Sequence, residues 1–266
     1  MNIETMKELA QRIKQQKPLI HHITNLVTIN DCANITLAIG ASPIMAMEIK
    51  EVEEVVSISH VLVLNMGTLN ENIVKSMILA GKKANQLNIP IILDPVGVGV
   101  STFRKEAVRN LIENVQISII KGNESEIKTL SGIEPKCKGI DSQGTQDIDG
   151  LKNICQQLSK QTNSVIVATG KTDVISFLEE TVYIHRGNEI LTNITGTGCM
   201  TASLIGSYAA ITNNMLDAAI AGVQSMNIAG EIAYEKMMNI GGGAGSFKVL
   251  LMDVVSTIES CEKYHI

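Results

Sequence analysis

The chain has 266 residues, of which 45% are hydrophobic, 18% charged and only 3% aromatic, with no Trp. Such a composition excludes intrinsic disorder and predicts a core of Ile, Val, Leu, Ala and Met that needs no staples. Twenty-two Lys plus Arg against 27 Asp plus Glu leave a net charge of −5, which argues against nucleic acid as a partner.

Near the start, Pro18 to Asn25 sets polar groups in an apolar run. The adjacent His21 and His22 do not have the spacing of two ligands on one helix face, so they make a poor zinc site. Asn25 could hydrogen-bond a substrate or cap a following helix. Met45 and Met47, after Ser42-Pro43, suit either a core or an adaptable pocket for a flat ring.

Short β-branched runs then alternate with longer helical patterns. Strands are predicted at Val61–Asn65, Ile91–Asp94, Ile117–Ile120 and Val165–Thr169. Helices are predicted at Glu71–Gln86, Arg104–Asn114, Glu124–Leu130 and Ile148–Lys160, where apolar residues recur three and four apart. The repeated strand–helix unit implies a parallel sheet. Val174–Phe177 and Thr181–Ile184 read as a hairpin appended to that sheet, and Lys136–Gly150 as a polar loop. After Asn193 the pattern is helical, near Cys199–Ile211, Leu216–Met238 and Phe247–Glu262. The uncharged stretch Ile190–Leu216 carries too many Thr, Ser and Asn residues to span a bilayer. No linker or repeat divides the chain, so residues 1–266 read as one α/β domain, a central mostly parallel sheet with helices on both faces. Five cysteines without a CxxC pair, in a chain with no signal-like start, predict a reduced cytoplasmic protein.

Two familiar nucleotide motifs fail. Gly170-Lys171-Thr172 lacks the upstream Gly of a P-loop, because that position is Val165, and neither Gly196-Thr197-Gly198 nor Gly97-Val98-Gly99 has the third Gly of a dinucleotide fingerprint. What remains is Thr195-Gly196-Thr197-Gly198-Cys199 leading into a charge-free helix. Glycines that admit a ligand to the backbone, followed by a helix N-terminus, make an anion cradle of Gly196, Thr197 and Gly198. Cys199 in the first turn is expected to feel the helix dipole and titrate low. The pentapeptide also reads as a Gly-rich turn before a small core residue. Asp94, at a strand's carboxyl end, could hold hydrated magnesium or cap a helix. Lys121 adds a cation at the same edge, and Glu124 and Glu126 add carboxylates; ordinary helix-start acids explain Glu124 better than Glu126.

Taken in order, HHITNLVTINDCAN (21–34), GASPIM (40–45), NMGT (65–68), DPVGVG (94–99), KGNESEI (121–127), KGIDS (138–142), ATGKTD (168–173) and TGTGC (195–199) resemble the hydroxyethylthiazole kinase family, of ribokinase-like fold. The resemblance covers almost the whole chain. It implies ATP-dependent phosphorylation of the primary hydroxyl of 4-methyl-5-(2-hydroxyethyl)thiazole in thiamine salvage, with Mg2+ as cofactor, in a homotrimer whose sites lie between subunits. It also implies thiazole contacts at Met45 and Gly196, with Asn25 and Gly67 as further pocket residues, and ATP contacts at Lys121 and Thr169. Asp94 and Glu126 would position magnesium. Cys199 stands where the superfamily usually places an Asp base. Two positions depart from the family pattern: Lys121 replaces a more usual Arg, and Ala244 a more usual Pro, which bears on the stiffness of a C-terminal loop. Rival readings are a kinase of another vitamin-precursor alcohol such as hydroxymethylpyrimidine, a Cys199 acyl transferase, and a binding module without turnover.

Overall fold

In a computed structural model, which describes residues 1–132 and 147–261, an eight-stranded sheet runs through the molecule in the order β2-β1-β3-β4-β5-β6-β7-β8. The strands are β1 (Leu19–Ile23), β2 (Ser42–Met45), β3 (Val61–Asn65), β4 (Ile91–Asp94), β5 (Ile119–Asn123), β6 (Val165–Thr169), β7 (Asp173–Phe177) and β8 (Glu180–Ile184). β2 through β6 pair in parallel, and β7 and β8 add antiparallel, as the hairpin reading expected.

Apolar residues cover both faces, so the parallel strands are nearly continuous hydrophobic runs. Alternation divides them. Val61, Val63 and Ile92 belong to one core, shared with α1 (Ile3–Gln16), α2 (Ile29–Ile39), α8 (Thr197–Ala209), α9 (Met215–Asn239) and α10 (Ala244–Val255). Leu62, Leu64, Ile91 and Leu93 face the other, shared with α3 (Val52–Ile58), α4 (Glu71–Gln86), α5 (Thr102–Asn114), α6 (Glu124–Leu130) and α7 (Ile148–Thr162). The result is a three-layer α/β/α fold.

Three sequence expectations need correction. β5 runs to Asn123, beyond the predicted end at Ile120, because its register with β6 continues to Asn123↔Thr169. Lys121 therefore sits inside a strand. The C-terminal helical pattern is broken: α10 ends at Val255, and a separate 3-10 turn covers Ile258–Ser260. Ala244 is the first residue of α10, so the position that the resemblance assigned to a C-terminal loop is a helix start. Of the predicted loop at Lys136–Gly150, residues 136–146 lie outside the described residues, whereas Asp147 caps α7 through Gly150 N–H.

Of the elements before Val61, the sequence reading anticipated only a helix after Asn25, which is α2. His21 and His22, on β1, are both fully buried and point to opposite sides of the strand. His21 Nε2 bonds the Ala46 carbonyl at 2.7 Å, and burial pushes the His22 imidazole down to about 3. Among the described residues no helix is long and apolar enough to cross a membrane.

Candidate active site

Strand order decides where a ligand can enter. The chain goes from β1 outward to β2 and then returns to place β3 on β1's other side, so the β1/β3 boundary is a topological switch point, where open α/β sheets form a crevice at the carboxyl ends of their strands. Asn25 follows β1, and Asn65 ends β3. Parallel register sets Met45 opposite His22, Asn65 opposite Asp94 and Asn123 opposite Thr169, so the predicted site residues line one edge of the sheet. Five strand spacings separate β2 from β6, roughly 24 Å at the usual inter-strand distance. Met45 and Thr169 thus mark opposite ends of the array.

The centre of this edge is a buried polar network. Asn25 Nδ2 donates to Asn65 Oδ1 and to Thr28 Oγ1, each at 2.8 Å, and lies 3.5 Å from Cys199 Sγ. Asn25 Oδ1 accepts the Val27 and Thr28 N–H groups, both at 3.0 Å. Asn25 thus braces the turn before α2 and does not cap the helix itself, whose N-cap is Thr28. Asn65 Nδ2 donates to Asp94 Oδ2 at 2.8 Å and to Cys199 Sγ at 3.2 Å. A methyl group on Gly67 would strike Asn25 Cβ at 2.6 Å, so only glycine permits this turn to close over Asn25.

α8 brings its N-terminus to the same network. Gly196 is its N-cap with φ of 92°, a left-handed conformation natural to glycine, and no side chain caps the helix. The first-turn N–H groups of Thr197, Gly198 and Cys199 have no partner within the helix and stay available to an anion. On one side Gly196 abuts Thr28 and Asp31; on the other, Gly198 abuts Lys121 Nζ. Asp31 is paired with Lys248 of α10 at 2.7 Å.

Electrostatics here follow burial. Asp94 is fully enclosed, and desolvation drives its carboxyl up to about 6, with Lys121 opposing and Glu126 adding to the rise. Its Oδ1 is buried without a hydrogen-bond partner. The expected low-titrating thiol is not found. Burial pushes Cys199 up, and the nearby Asp94 carboxylate pushes the same way, outweighing Lys121 and the Asn65 and Thr28 hydrogen bonds. With Cys199 only 8% exposed, the cost of burying a thiolate outweighs the pull of the α8 N-terminus.

Glu126 also differs from expectation. Its Oε2 accepts Asn123 N–H and its Oε1 accepts Gly97 N–H, both at 2.8 Å, while Asn123 Oδ1 receives Glu126 N–H. That is a capping box, so the helix-start role belongs to Glu126, and Glu124 pairs with Lys128 at 2.5 Å. The Asn-x-x-Glu spacing before a helix carried this signal. Each Glu126 oxygen keeps a further lone pair. Thr169 Oγ1 donates to the Gly122 carbonyl at 3.3 Å. Met45 is half-buried at the outer strand, and neither Met45 nor Thr169 joins the central network.

Sequence reasoning missed Asn65, Thr28 and Arg104. Arg104 reaches back from α5 to the Met66 carbonyl at 2.6 Å, the Val96 carbonyl at 2.7 Å and the Gly67 carbonyl. A polar residue ending the apolar run Val61–Asn65 was the available signal for Asn65. Arg104 gave none, since its partners are backbone atoms.

Comparison with known proteins gives the family. The model of the hydroxyethylthiazole kinase family matches residues 10–260. A hydroxyethylthiazole kinase of Clostridium tetani is 51% identical over 93% of this chain and 91% of its own. The solved structure of hydroxyethylthiazole kinase protein from Pyrococcus horikoshii OT3 superposes with a TM-score of 0.86 at 34% identity, covering 95% of this chain and 92% of that one. A ribokinase-like superfamily protein of Enterococcus faecalis shares the fold alone, with a TM-score of 0.63 at 13% identity. This chain belongs to the hydroxyethylthiazole kinase family.

Proposed function

We propose that residues 1–266 act as one kinase domain that transfers the γ-phosphoryl group of ATP to the primary hydroxyl of 4-methyl-5-(2-hydroxyethyl)thiazole, releasing ADP and the thiazole phosphate for thiamine salvage. The observation that carries this reading is the Asn25–Asn65–Asp94–Cys199 network at the switch point, set against the uncapped start of α8.

Phosphoryl transfer depends on alignment and on neutralising charge over the migrating group. The Gly196, Thr197 and Gly198 backbone, with Lys121 beside it, would receive the phosphates, and Thr169 would meet the nucleotide farther along the edge. Asn25, Gly67, Gly196 and Met45 would form the thiazole end. Cys199, a poor thiolate in this burial, serves better to orient the alcohol than to remove its proton outright, which suits a loose transition state.

The residues present fit a magnesium ion held mainly by phosphates and water. Asp94 Oδ1 is an unpartnered buried carboxyl oxygen, the kind of hard donor that magnesium takes beside water and phosphate. Asp94 would hold the ion, with Glu126 reached through water, and the ion would supply charge neutralisation on the phosphates. The exposed apolar side chains of Leu26 and Val27, beside Asn25, support a subunit contact at the thiazole end, which is compatible with the homotrimer with shared sites that the resemblance implies. The five cysteines without a CxxC pair support a reducing, cytoplasmic location.

The test is magnesium- and ATP-dependent ADP release with the thiazole alcohol beside hydroxymethylpyrimidine, pyridoxal and ribose, each against a blank without acceptor. Selective release with the thiazole is expected. Turnover only with another alcohol would overturn the pocket assignment, and none with any acceptor would overturn the kinase reading.

A further inference from the structure

Asn65 is a side chain with no spare capacity. It is 3% exposed at the end of β3. An amide offers two N–H donors and two acceptor lone pairs. Both donors are taken, by Asp94 Oδ2 at 2.8 Å and Cys199 Sγ at 3.2 Å, and both lone pairs are taken, by Asn25 Nδ2 at 2.8 Å and Gly67 N–H at 3.1 Å.

The direction of this amide is forced by its surroundings. Asn25 Oδ1 is held by the Val27 and Thr28 N–H groups, so its amino group is the end that meets Asn65. An amino group needs an acceptor, which places the Asn65 oxygen toward Asn25 and Gly67. The Asn65 amino group must then face Asp94 and Cys199. A flipped amide would set donor against donor at Asn25 and at Gly67, and acceptor against carboxylate at Asp94. One consequence concerns Asp94: with Oδ2 spent on Asn65, its remaining oxygen, Oδ1, is the buried atom left without a partner.

We infer that Asn65 is a positioning residue that ties the wall of the thiazole pocket, through Asn25 and Gly67, to the groups of phosphoryl transfer, Asp94 and Cys199. The inference rests on the proposed function, since it assigns those four residues to the two halves of one site. Asn65 touches neither substrate. Its oxygen half holds the pocket, and its amino half leaves Asp94 Oδ1 and Cys199 directed at the reacting groups.

Two substitutions separate the halves. Asn65→Asp keeps an acceptor for Asn25 and Gly67 but replaces the amino group with a second carboxyl oxygen facing Asp94 and Cys199, whereas Asn65→Leu loses everything at similar volume. Each would be measured by thermal melting, by calorimetric titration of the thiazole alcohol without ATP or magnesium, and by steady-state turnover. N65D is expected to bind the thiazole within about threefold of wild type while kcat falls about 10–100-fold, the usual loss when a supporting partner is removed. N65L is expected to lose both binding and kcat.

Turnover of N65D within threefold of wild type would overturn the inference, as would thiazole binding weakened as much in N65D as in N65L. If the added carboxylate prevents N65D from folding, N65L decides: a kcat within threefold of wild type overturns the inference, and a loss of tenfold or more in a folded protein upholds it. A wild-type protein that neither binds nor phosphorylates the thiazole would instead overturn the function on which the inference rests.

Discussion

A methyl group placed on Gly198 would lie 2.9 Å from Lys121 Nζ, so the buried Lys121 ammonium rests against bare backbone in the first turn of α8. The cation and the proposed anion cradle are therefore in contact, joined across residues that are distant in sequence. Gly198→Ala would favour the helix by up to about 1 kcal/mol while displacing the ammonium. Melting temperature is expected to hold or rise, with the KM for ATP raised at least threefold. An unchanged KM would separate Lys121 from the nucleotide.

Cys199 yields a prediction opposite to the one its helix position suggests. Its thiol is buried and titrates high, as do Cys32, at about 11, and Cys155, at about 12. Iodoacetamide at pH 7.5 is expected to label the more open Cys261 before Cys199, followed peptide by peptide in a mass spectrometer. Cys199→Ala is expected to reduce kcat by about tenfold or more with ATP affinity retained, because the cradle is backbone. Fast labelling of Cys199, or full turnover without it, would remove the orienting role.

Asp94 links stability to pH. Its folded carboxyl titrates at about 6 against 3.8 when exposed, so between those values the folded protein keeps a proton that the unfolded chain has released. Stability from the neutral acid is complete below about pH 4 and is lost as pH rises through 6. Above that, the fold carries a buried carboxylate at a cost on the order of 3 kcal/mol, from the shift of about two units. Asp94→Asn is therefore expected to melt higher than wild type at pH 7.5, to lose that advantage near pH 4, and to be inactive. Equal melting curves at both pH values would contradict the buried-charge account.

Arg104 clamps three backbone carbonyls from two loops of the crevice, Met66 and Gly67 after β3 and Val96 after β4. Removing the guanidinium leaves three part-buried acceptors unpaired, at up to about 1–3 kcal/mol for such a group. Arg104→Ala is expected to lower stability by that order and to raise the KM for the thiazole more than the KM for ATP. Arg104→Lys, with one point donor in place of a planar fork, should recover only part of both. Parallel changes in both KM values would assign Arg104 to general stability.

Glu126 serves the fold and, in the proposed function, magnesium. Glu126→Gln turns one acceptor into a donor facing either Asn123 N–H or Gly97 N–H. The magnesium concentration giving half-maximal activity is expected to rise at least threefold. An unaltered magnesium titration would leave Glu126 with its capping role alone.

How much of this was legible beforehand depends on the range of the interaction involved. β3, β4, β6 and the terminal hairpin followed from short β-branched runs and turn residues, all within a few positions of each other. Asp94 and the Gly196–Cys199 segment stood out because polar residues at strand ends and glycines before helices are also local signals. β1 and β2 were missed because two histidines interrupt the apolar run of β1 and β2 is only four residues long, whereas α1, with Met6, Leu9, Ala10 and Ile13 on one face behind an Asn2 cap, carried a local signal that went unread.

By itself, the sequence determined a strand–helix alternation, a parallel sheet with an antiparallel end, and the residue types lining its carboxyl edge. Tertiary structure alone decided that β1 lies between β2 and β3. That order brings Asn25 to Asn65, 40 positions away, and to Cys199, 174 positions away. It also decided how those groups titrate, because a carboxyl or thiol shifts with the water excluded around it, and exclusion is the work of helices and strands from the whole chain.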